Sequence, residues 1–140
     1  MAENKDQRHE LTELIDAVEE SYEFMLAYAA QGCQGDEEGG TRESIRTYLE
    51  KADAALERLG AAAAAAFRAR GTIASSVSRT FLDVFDQDAR NAQAVIRLAL
   101  AQPSISSQLI DNLNSSIHVR TLLTDLFLID ETLTASARPQ

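Results

Sequence analysis

The chain offers few places to turn. Its only prolines are Pro103 and Pro139, and its six glycines fall at 32, 35, 39, 40, 60 and 71. Proline and glycine are the strongest local breakers of regular structure, so the intervals between these points must form long elements. Those intervals are rich in alanine, which favours helices over strands. At 140 residues, 45% hydrophobic and 25% charged, the chain is long enough for one domain with a genuine core and short for two. The pattern predicts a single all-α domain over 1–140, folded as an antiparallel up-down four-helix bundle. Its flexible ends would be about 1–5 and 136–140.

Apolar periodicity places the helices. Over 6–31, Leu11, Leu14, Ile15, Val18, Tyr22, Met25 and Ala29 recur at spacings of three and four, which draws one stripe on a helix. Phe24 projects away from that stripe, so it is a candidate partner contact. The acidic, glycine-rich stretch 32–40 then reads as a mobile, solvated loop. Its acids lack the spaced oxygens and closing Glu of a helix–loop–helix calcium site. Thr41 is the expected cap of a second helix, on which Ile45, Tyr48, Leu49, Ala52, Leu56, Leu59, Ala63 and Phe67 share a face. Gly60 within it costs roughly 1 kcal/mol against alanine, which implies close approach of a neighbouring helix. Gly71 ends this helix, and Ser75 or Ser76 caps the third.

The stretch 56–85 holds six consecutive alanines and, beyond the turn, Phe81 and Phe85 one helical turn apart. Large rings set against small residues make a tight seam between two helices. The tract is therefore expected to serve packing and not a ligand slot.

The last helical region, 105–135, has two stripes. Leu109, Ile110, Leu113 and Ile117 point one way; Val119, Leu122, Leu126, Ile129 and Leu133 point another, about half a turn away. The residues between, 112–118, are poor helix formers, so this helix is expected to kink or split near 114–118. Beyond the break, Leu122, Leu126, Phe127, Leu128 and Ile129 leave little of the circumference polar. A helix apolar nearly all round needs burial all round. A second copy of the chain, packed on 119–133, would supply it.

Asp88 interrupts the apolar stripe of the third helix. A buried carboxylate must be paired or protonated. Counting outward from the turn near 101–104 sets Asp88 level with Ile117, within reach of His118 and Arg120. An Asp88–Arg120 ion pair is the structural expectation, and a functional polar pocket around Asp88 and His118 the alternative.

The formal net charge is −9, which repels phosphate backbones and anionic lipid, so neither nucleic acid nor membrane is an expected partner. A single Cys33 allows no internal disulfide and no cysteine-rich metal site. The opening residues carry no apolar leader core and no run approaches a membrane span, so a cytoplasmic protein is expected. Di-iron carboxylate chemistry needs Glu-x-x-His pairs, which the chain lacks. A Gly-x-Ser-x-Gly turn, a phosphate loop and a haem-attachment motif are absent as well. The sequence therefore implies no enzyme, no cofactor and no metal. It points to an acidic helical module for protein binding, a homodimer or higher oligomer that also binds another protein as an adaptor or accessory factor of a larger assembly. Its contacts would be Leu122, Leu126, Phe127, Leu128 and Ile129, with Phe24 a second site. The alternative is a ligand- or metal-binding bundle around Asp88 and His118.

Overall fold

The computed structural model describes residues 2–38, 44–71 and 73–137. Among them the regular structure is wholly helical. The elements are α1 (Ala2–Ala29), α2 (Ile45–Arg70), α3 (Ser75–Leu100), α4 (Ser107–Asn114) and α5 (Ile117–Ala137), with one 3₁₀ turn at Asp36–Glu38. There are thus five α-helices where four were expected, because the last region divides. No described helix is long and apolar enough to cross a membrane.

The helix ends follow from local chemistry. Ser44 caps α2, its hydroxyl accepting from the Thr47 N–H, and Gly71 closes it at φ +66° with its N–H on the Phe67 carbonyl. The cap expected at Thr41 lies outside the described residues. α3 starts at Ser75 without a side-chain cap, Ala74 holding the cap position, so neither Ser75 nor Ser76 plays the expected part. Ser106 caps α4 by accepting from the Leu109 N–H at 3.0 Å.

The split between α4 and α5 has a specific cause. Asn114 turns its side-chain amide onto the Met25 carbonyl of α1 at 3.1 Å, which fixes the end of α4 there. Ser116 then accepts from the His118 N–H at 3.2 Å and so opens a new helix. α4 packs mainly on α1 and α5 mainly on α3, while α1 also packs on α2 and α2 on α3. The two stripes read in 105–135 therefore belong to two helices with different neighbours.

The core runs through all five helices. Leu49, Leu59, Ala63, Phe85, Ala92, Ile105 and Ile110 are wholly inaccessible. Ala62, Ala63 and Ala66 of the alanine tract are buried. Phe81 lies between Phe67 and Phe85, at centroid distances of 6.0 and 6.1 Å. A side chain at Gly60 would run into Asp86 of α3, which is the close approach the glycine implied.

The described part of the acidic loop is not loose, contrary to expectation. Asp36 accepts from the Arg46 guanidinium and the Ile105 N–H, both at 2.7 Å. These bonds outweigh the effect of burial and hold its carboxyl below the usual range. Arg46 also donates to the Leu100 and Gln102 carbonyls at 3.0 and 2.7 Å. Cys33 and Ser107 exchange two bonds of 2.9 Å. Residues 39–43 lie outside the described residues.

Candidate functional site

Two features of the α3–α5 side carry chemistry or unspent apolar surface, and both begin with how α5 is buried. Val119, Leu122, Leu126, Ile129 and Leu133 recur at three and four, and this chain itself covers them, each at 4% exposure or less. Leu122, Leu126 and Ile129 are therefore core residues, which corrects their expected place on an interface. The circumference of α5 looked apolar all round because core and surface apolar residues interleave in 122–129. Phe127 and Leu128 remain outside, at 62% and 53% exposure.

Phe24 is likewise corrected. Its ring stacks on Tyr48 of α2 at 4.1 Å with an interplanar angle of 11°, so it is half-buried within the chain. α1 is flanked by both α2 and α4, and this wider cover reaches beyond the stripe read from the sequence.

Around Leu128 the surface stays apolar. Phe67, Ile73, Val77, Phe81, Leu128 and Thr132 line a groove of about 250 Å³. Val77 and Val84 of α3 stand out at 61% and 52% exposure, and Ile117 opens α5 at 70%. Sequence reasoning missed Ile117 as surface because it fits the apolar stripe of Leu109, Ile110 and Leu113, and Val77 and Val84 because they recur at helical spacing with Phe81 on the third helix.

Halfway along this side lies an acid pair. Asp88 of α3 lies against Asp125 of α5, and among the described residues no ion pair joins it to Arg120. Asp125 is 7% exposed, and its Oδ2 has no hydrogen-bond partner among the described residues. Burial pushes the Asp125 carboxyl up to about 7, with the hydrogen bond to Asp88 and the charge of Asp88 acting in the same direction. Two carboxyls in contact hold together only when one of them carries a proton. The neutral acid donates its O–H and the other accepts. Asp125 was missed because it sits in an apolar run with no positional signal beyond its charge.

The other polar candidates are elsewhere. His118 is exposed in the first turn of α5. Arg120 is exposed as well and borders two shallow hollows, one shared with Thr121, Thr124 and Asp125 and one with Tyr22, Leu26 and Asn114. The structure thus joins Asp88 to Asp125 and leaves His118 and Arg120 on the surface. Among the described residues no group of three or more His, Cys, Asp or Glu side chains is placed to hold a metal ion.

No protein-family model matches the chain, and comparisons with curated proteins and with solved structures likewise find no match.

Proposed function

We propose that the chain is a non-enzymatic helical protein-interaction module, a cytoplasmic adaptor or accessory factor that self-associates through the outer side of α5. In this reading the domain is an up-down bundle whose fourth position is divided between α4 and α5. One observation carries it: Phe127 and Leu128, large apolar side chains on a long helix, are more than half exposed, as is Val84 of α3. Apolar residues gathered on one side of a small domain mark a surface that another protein covers. The lone free Cys33 fits a reducing compartment.

Sedimentation velocity across a concentration series tests the reading. The wild-type chain is expected to associate and Leu128→Glu to sediment as a monomer with unchanged helicity. A wild-type monomer at every concentration up to about 1 mM, the weak end of specific binding, refutes it.

The second reading, a ligand site at Asp88, is favoured by the placing of two acids against each other, Asp125 buried and Asp88 partly so. Without His118 it has few donors. Metal analysis and an absorption spectrum of the purified protein test it.

A further inference from the structure

The outer face of α5 has a charge pattern that selects its own partner and orientation. Ile117, Arg120, Thr124, Phe127 and Glu131 are all exposed and follow one another at spacings of three, four, three and four. At 100° per residue they fall within a sector of roughly 80°, the spacing of a helix-pair seam, with Ile117 and Phe127 its apolar members. Neither Arg120 nor Glu131 takes part in an ion pair among the described residues, although Lys51, Arg58, Arg90 and Arg97 each pair with an acid on the surface.

We propose that this face is a homodimer interface in which α5 lies antiparallel on α5 of a second copy. The axis would fall midway between Thr124 and Phe127, setting Arg120 against Glu131 of the second copy. This rests on the reading of the chain as a self-associating module and names the contact.

The argument is charge complementarity. Running the two helices antiparallel about that axis brings Arg120 to Glu131 twice, once on each side. It also sets Thr124 against Phe127 of the second copy, and repeats that contact by symmetry. The two Phe127 rings then meet near the axis, capped at each end by an ion pair. Running them parallel sets Arg120 against Arg120 and Glu131 against Glu131, which costs on both counts. A two-fold contact is also the commonest way for identical chains to associate.

On the α3 side the face is bordered by Leu128, which shares a groove with Val77, Phe81 and Thr132. The seam from Ile117 to Glu131 is about 21 Å long at 1.5 Å per residue. Such a contact falls at the small end of specific interfaces, which marks a reversible dimer.

Sedimentation equilibrium on charge-reversed chains tests both orientation and register. Arg120→Glu and Glu131→Arg should each weaken the dimer about tenfold or more, since each creates two like-charge contacts. An equimolar mixture of the two variants should regain most of the affinity, because every cross-chain contact is then again between opposite charges. The double variant R120E/E131R alone should regain it too. Circular dichroism checks that each variant stays folded, as expected for exposed residues without internal partners.

If Phe127→Asp abolishes association while neither charge reversal affects it, this register is overturned and the self-associating module stands. If R120E mixes preferentially with wild type, the pairing is parallel and the proposal fails. If the wild-type chain never associates, both fail together.

Discussion

At the scale of single residues, the acid pair is the feature with the most direct physical signature. An unfolded Asp ionises near 3.9, whereas Asp125 in the folded chain is pushed up to about 7. Between those values the folded state holds a proton that the unfolded state has lost. The unfolded state therefore binds fewer protons there, and stability falls as pH rises. The loss begins above the ordinary Asp range, approaches a slope of about 1.4 kcal/mol per pH unit, and ends once pH has passed the folded value. Urea unfolding of the wild type at pH 5 and pH 8 should show the higher midpoint at pH 5. Asp125→Asn keeps a donor toward Asp88 without the titration, so it should flatten that difference and be the more stable chain at pH 8. Equal pH dependence in the two proteins would mean that the pair does not share a proton. The partner of Asp88 was not legible beforehand. Counting 105–135 as one continuous helix set Asp88 level with Ile117, two helical turns short of Asp125. The error is the α4 segment, which packs mainly on α1 and so consumes chain without advancing along α3.

At the scale of elements, α5 shows how one sequence run serves two faces. Leu122 is 2% exposed and Leu128 53%, though both are leucines in the same stretch. Leu122→Ala leaves a cavity and should cost on the order of 2–5 kcal/mol in chemical unfolding. Leu128→Ala should change the stability of the monomer by less than about 0.5 kcal/mol. Similar losses for the two would contradict the orientation of α5. Helix periodicity made the buried stripe legible, and the run of poor helix formers made the break legible. Which apolar residues remained uncovered was not, because that depends on how much of α5 its neighbours cover. The same limit explains Phe24, whose stacking partner Tyr48 is on another helix.

At the scale of the whole molecule, the all-α class followed from the rarity of breakers, and the glycine stop at 71 and the close approach at Gly60 were readable from residue type. The anchoring of the acidic loop was not. It depends on Asp36 reaching Arg46 and Ile105, which lies just before α4 and far away in sequence. The formal charge of −9 counts every carboxyl as ionised, which the folded molecule does not obey while Asp125 holds its proton. Melting the protein near pH 6 should therefore expel about one proton into the medium. Calorimetry can read that proton directly. The heat of unfolding should differ between a buffer that takes up protons with little heat and one that takes them up with much, and the difference should shrink in Asp125→Asn. The bundle would then count a proton among its structural parts, surrendered only when α3 and α5 separate.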